Sequence, residues 1–227
     1  DAFASEPFKG NPAGVCFYDQ FPDDSVMQEI ATKLGFSNSA FVKKTGERKF
    51  DIRWFTPHSE ASICGHATIA TTHILFEEKM IEDEADIEFT SKVGKLYTNK
   101  FKKWYSLNFP AYREIEERIL AKEIHAVINI RPQFNGFSND RMFMEFASEE
   151  ELYNLKPNLE ELKKIKCRAL IATAKGEGEY DFLSRYFAPS VGIDEDPVCA
   201  SAHCLLIPYW SKKLGKKNMM AYQASKR

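Results

Sequence analysis

In "KFDIRWF", Phe50, Ile52 and Trp54 alternate with Asp51 and Arg53, the two-residue period of a strand with one buried face, and Pro57 closes the run. A helical period precedes it. Val26, Ile30, Ala31 and Leu34 recur behind Asp23-Asp24, whose carboxylates suit an N-cap, and Gly35 supplies the stop. Further upstream, "DAFASEPFKGNPAGVCFYD" reads as a strand, a Gly-Asn-Pro turn and a second strand, with Val15 and Phe17 facing one side and Cys16 the other. "SNSAFV" leads into another strand. "GHATIATTHILFEEK" predicts a helix buried on most sides, and residues 86–109 predict strands turning at Gly94 and near Lys102-Lys103. The second half opens on "FPAYREIEERILAKEIHAV", a charged segment read as helical. It continues with strand "RMFMEF", short helical pieces around Pro157, strands "RALIATA" and "DFLSRYF", helix "ASAHCLLIPYWSKKLG" ending at Gly215, and strand "MMAYQAS". No low-complexity linker separates the halves, and the boundary near Pro110–Glu114 gives domains 1–112 and 113–227.

One corner is written twice. "RWFTPHSEASICGHAT" (53–68) returns as "RYFAPSVGIDEDPVCASAH" (185–203): Arg-aromatic-Phe-x-Pro, a loop, a cysteine, then an apolar run. A cysteine where a loop enters a helix lies at the positive end of the macrodipole, which lowers a thiol from its reference of ~8.5 toward neutrality. The N–H groups after Cys64 and Cys199 form an anion site, and the small residues Gly65 and Ala200 let a ligand approach the backbone. If the halves face each other about a pseudo-twofold axis, two sulfurs would bracket one carbon, roughly 6–7 Å apart, one as base and the other as acid. That arrangement suits cofactor-free proton transfer at carbon.

Composition narrows the alternatives. Of 227 residues, 44% are hydrophobic and 28% charged, as in an ordinary globular protein with a core in each half, and the net charge of −2 leaves no footprint for nucleic acid. The clusters "SKKLGKK" and "FKKW" read as solvated surface. No apolar run reaches the ~18–20 residues that cross a bilayer, and no leader precedes Asp1, so a soluble, cytoplasmic protein is expected, not a membrane protein. Asp1 is not Met and the last segment stops in a strand pattern, so terminal pieces are expected to be missing. Five dispersed cysteines indicate free thiols in a reducing compartment, with Cys16, Cys167 and Cys204 read as inert. His73 and His203 read as packed or solvent-facing, no spacing indicates a metal site, Arg53 and Arg185 read as fixing the corners, and Asp196 is placed to cap the helix after Cys199.

Together, "DAF…PFKGNPAGV", "RWFTP…CGHAT" and "FAP…EDPVCASAH…PYW" resemble the PhzF-like phenazine-biosynthesis family, relatives of diaminopimelate epimerase. The resemblance implies an α+β, diaminopimelate epimerase-like fold of two pseudo-symmetric β-barrel-like halves, each around a central helix, with the active site in the cleft between them. It also implies a cofactor-independent isomerase or epimerase acting on a small carboxylate-bearing substrate, and homodimers. By the same resemblance Asn11 binds substrate, Gly65 and His66 form the first anion-binding corner with His66 taking part in the reaction, and Asp196 and Ser201 belong to the second. The family writes Ser-Glu-Thr-x-Phe where this chain has "FSNSAF", so Asn38 stands in place of the principal acid/base glutamate, and an amide exchanges no proton usefully at neutral pH. Cys64 and Cys199 match the two catalytic cysteines of the epimerase relatives. Either that pair or His66 with Asp196 would then carry the proton transfer. "CAS" replaces the usual Gly after the second cysteine with Ala200, and His66 stands where the epimerases have Asn, which argues against diaminopimelate as substrate. The rival readings are a binding homologue without catalysis and a thiol redox sensor.

Overall fold

The computed structural model describes residues 1–4, 6, 10–82, 84–112, 114–117, 124 and 126–225. The chain forms two compact units, Asp1–Pro110 and Ala111–Arg227. In the first, β1 (Ala13–Tyr18), β2 (Asn38–Gly46), β3 (Lys49–Phe55), β5 (Ile87–Ser91), β6 (Gly94–Phe101) and β7 (Trp104–Asn108) lie side by side in that order, with the short β4 (Glu60–Ala61) also on β3. In the second, the order is β13 (Ala221–Gln223), β12 (Phe182–Phe187), β11 (Ala169–Lys175), β10 (Arg141–Phe146), β9 (Phe134–Ser138) and β8 (Glu116–Glu117).

The repeat in the sequence is a repeat of topology. β1 pairs parallel with β2, β2 antiparallel with β3, and β3 parallel with β5. β10 pairs parallel with β11, β11 antiparallel with β12, and β12 parallel with β13. Helix α1 (Asp24–Leu34) fills the first crossover, and two short helices, α3 (Glu149–Asn154) and α4 (Leu159–Lys164), fill its counterpart. After the repeated corner come α2 (Gly65–Glu77) and α5 (Ala200–Leu214). Each is the helix around which its unit's sheet packs. Ala67, Leu75 and Phe76 share a core with Phe50, Ile52 and Trp54 of β3, and Ala202, Leu205, Leu206 and Trp210 share one with Phe143, Ile171, Phe182 and Tyr186.

Local chemistry explains how such helices are buried. In α2, Thr68, Thr71 and Thr72 donate their hydroxyls to the carbonyls of Cys64, Ala67 and Thr68, at 2.5, 2.8 and 2.9 Å, which hides their polar atoms. In α5, Pro208 has no N–H to give to the carbonyl of Cys204, and the N–H of Tyr112 takes that place at 2.7 Å. Gly35 and Gly215 close α1 and α5 in the left-handed conformation, both at φ 68°.

Four expectations change. On α1 the buried stripe is Met27 and Ala31 with Ile30 half-buried beside them, whereas Val26 and Leu34 are each 41% exposed. Asp23 occupies the N-cap without a side-chain bond; its backbone carbonyl accepts from the N–H groups of Val26 and Met27, and Arg53 holds the carboxylate of Asp24. In the charged segment after Pro110, Glu116–Glu117 is a strand on β9, and residues 118–123 and 125 lie outside the described residues. Of the expected first strand, Ala2 bridges Asn11, and residues 5 and 7–9 lie outside the described residues.

Candidate active site

Each corner is held by an arginine. On β3, Arg53 donates Nε and Nη2 to the two carboxylate oxygens of Glu60, at 2.8 and 2.9 Å, and Nη1 to Asp24 at 2.7 Å. On β12, Arg185 donates Nε and Nη2 to the carboxylate of Glu195, at 2.7 and 3.0 Å, and Nη1 to the carbonyls of Leu152 and Leu155. Each guanidinium also stacks over the phenylalanine two residues on, Phe55 at 5.2 Å and Phe187 at 4.8 Å. The repeated Arg-aromatic-Phe is thus a planar fork clamping a glutamate, Glu60 on β4 and Glu195 in the loop before Cys199, as expected for both arginines.

At the first corner, Cys64 is the residue before α2 and is buried, as are His66 and Asn11. The hydroxyl of Ser37 donates to Asn11 Oδ1 at 2.9 Å and lies 3.2 Å from His66 Nε2, and His66 Nδ1 lies 3.6 Å from Cys64 Sγ. With its proton given to Asn11, Ser37 can only accept from His66, so Nε2 carries the ring proton and Nδ1 presents a lone pair to the thiol. Burial pushes His66 down to about 4, so the ring is neutral at pH 7. The result is a hydrogen-bonded chain from Cys64 through His66 and Ser37 to Asn11. Ser37 is the member that sequence reasoning missed. The substitution at Asn38 draws attention away from it, and its place directly before Asn38 was the available signal. Asn38 begins β2, outside this chain of bonds, and its buried Oδ1 has no hydrogen-bond partner among the described residues.

At the second corner, Cys199 precedes α5 and is buried, its Sγ 3.4 Å from the hydroxyl of Ser201. Gln223 of β13 staples the loop, accepting from the N–H of Cys199 at 2.6 Å and donating to the carbonyl of Asp196 at 2.6 Å. The buried Asp196 accepts from the N–H of Val198 at 3.2 Å, inside the loop, and so orders the turn. The expectation of an easily ionised thiol is overturned here: burial, with the Asp196 carboxylate adding to it, pushes Cys199 up to about 12. Desolvation outweighs the helix end. Gly65 and Ala200 open the two helices as expected, and all five cysteines are free. Burial also raises Cys16, Cys167 and Cys204, the last to about 11, in keeping with inert thiols. His73 bonds Tyr105 at the surface, and His203 Nδ1 bonds the carbonyl of Cys199 at 3.1 Å.

No described helix is long and apolar enough to cross a membrane, and no group of three or more metal-ligating side chains occurs among the described residues. An uncharacterized isomerase of Halalkalibacterium halodurans is 42% identical over 228 residues, spanning 100% of this chain and 86% of the relative. The crystal structure of a PhzF-family phenazine biosynthesis protein from Enterococcus faecalis superposes with a TM-score of 0.89 at 39% identity, covering 99% of this chain and 85% of the other. A probable proline racemase of Agrobacterium radiobacter K84, at 9% identity and a TM-score of 0.56 over 86% of this chain and 67% of its own, shares the fold alone. The two units, each a mixed sheet around one helix, therefore form a diaminopimelate epimerase-like fold. With the family model for phenazine biosynthesis-like proteins matching residues 1–227, the chain belongs to the PhzC–PhzF family.

Proposed function

We propose that this protein is a cofactor-independent isomerase or epimerase that moves a proton at the carbon beside the carboxylate of a small substrate. The observation that carries the reading is the bonded chain Cys64–His66–Ser37–Asn11. His66 Nδ1 orients the Cys64 thiol by accepting its hydrogen bond, and Cys64, once its proton has left to solvent, takes the proton from the substrate carbon as the thiolate. The carbanion then takes a proton back from the Cys64 thiol after that thiol has exchanged with solvent. Asn11 and the helix-start N–H groups at Gly65 and Ala200 bind the substrate, and Asn38 takes no part in the transfer. The name of the Halalkalibacterium relative supports the reaction class.

Incubation with a broad panel of amino acids and hydroxy acids in D2O is expected to place deuterium at the α carbon of one of them, and Cys64→Ser is expected to reduce that incorporation by at least about a thousandfold, as for removal of a catalytic nucleophile or base. A folded protein that exchanges no member of the panel contradicts the reading.

One observation favours a second reading, binding without turnover: Asn38 with its unpartnered oxygen in place of the family's glutamate. That reading expects a carboxylate ligand to raise the melting temperature with no exchange in the wild type. Exchange that is lost in Cys64→Ser rejects it.

A further inference from the structure

Arg53 and Arg185 each have a glutamate across a two-bond fork, but a third arginine has none. Arg141, the first residue of β10, is only partly exposed, and among the described residues no carboxylate lies within ion-pair distance of it. Its two bonds are long, from Nη1 to the carbonyl of Ser201 and from Nη2 to the hydroxyl of Ser201, both 3.4 Å, and its buried Nε has no partner. Its neighbour Asp140 is exposed and acts only at longer range. A guanidinium withdrawn from water without a counter-ion is costly, and natural proteins keep such a charge where something else supplies the missing negative group. The hydroxyl of Ser201 also lies 3.4 Å from Cys199 Sγ, so Arg141 reaches the second corner through the residue that borders the thiol.

We propose that Arg141, with Ser201, forms a carboxylate-binding subsite at the second corner, and that the substrate's carboxylate is the counter-ion this arginine lacks. A planar carboxylate accepts two parallel N–H bonds from a guanidinium and can take a third from the Ser201 hydroxyl once Arg141 releases it. The second corner, carrying a fixed positive charge, grips the anion. The proposal deepens the isomerase reading, and its test reads binding apart from turnover.

The test titrates succinate into the whole chain by calorimetry and thermal melting, in the wild type, Arg141→Met and Arg141→Lys, with inorganic phosphate as a second arm. Succinate is expected to raise the wild-type melting temperature and slow alkylation of Cys199. Arg141→Met, relieved of a stranded charge, is expected to melt no lower than the wild type without ligand, yet to bind succinate about 10- to 100-fold more weakly, the loss of charge-assisted bonds. Arg141→Lys is expected to recover part of the affinity. Equal succinate affinity in wild type and Arg141→Met overturns the proposal, as does a wild type that binds no succinate. A lower ligand-free melting temperature in Arg141→Met overturns it by showing a purely structural arginine, and binding of phosphate but not succinate overturns the carboxylate assignment. Arg141-dependent succinate binding with no deuterium exchange on any substrate upholds the subsite and rejects the isomerase.

Discussion

His66 couples the first corner to acidity. Its folded value of about 4 lies below the ~6.5 of an unfolded histidine, so between those two the unfolded chain binds more protons than the folded one. Stability is therefore full above about pH 6.5 and is lost as the pH falls through 4, by an amount on the order of 3 kcal/mol. Melting temperatures measured from pH 7 to pH 4 are expected to fall more steeply in the wild type than in His66→Gln, and parallel curves would remove His66 as the cause. Ser37 is expected to matter through the ring it orients. Ser37→Ala should lower deuterium exchange by about 10- to 100-fold and shift its pH profile, Ser37→Thr should restore both, and nitrogen NMR should show the His66 proton no longer confined to Nε2 in the alanine variant. At this scale the sequence was only partly legible. Cys64, His66 and Asn11 could be singled out, since their motifs are local. Ser37 comes from a different segment, and Cys199 could be placed at a helix start while its burial, which reverses the effect of that start, could not be seen.

The same limit shows in the elements. Period-2 runs such as 50–54 were readable because one face meets a core and the other does not. α1 was read one residue out of phase, through Val26 in place of Met27, because both are apolar and only the packing partner distinguishes them. β4, β8 and β9 were not anticipated: two are two-residue strands, and "FNGFS" lacks the apolar alternation of its neighbours. The two arginine clamps offer a comparison at this scale. The Arg185 side chain is 4% exposed and also fills the carbonyls of Leu152 and Leu155, while that of Arg53 is 18% exposed. Arg185→Met should cost about 3–5 kcal/mol, as for breaking a buried pair, and Arg53→Met about 1 kcal/mol, as for a pair nearer the surface. Urea denaturation of the two variants measures the difference, and equal losses would show that burial does not set it.

For the molecule as a whole, the duplicated corner disclosed a duplicated fold, since the parallel, antiparallel, parallel order of strands recurs around both α2 and α5. Each unit closes its own apolar core, α2 with the first sheet and α5 with the second. A fragment of residues 111–227 is accordingly expected to unfold cooperatively in a calorimeter, and a broad, featureless melt would show that it depends on the rest of the chain. The imino acid at 208 bears on that fragment. By withholding one amide hydrogen, Pro208 reserves a carbonyl in the middle of α5 for the main chain at Tyr112, so a missing donor becomes a mooring for the polypeptide on its way into the second unit. Pro208→Ala would let the helix reclaim that oxygen. The amide of Tyr112 should then exchange with deuterated solvent faster than in the parent, even as the helix itself gains a bond, so a change that improves the element would loosen the architecture around it.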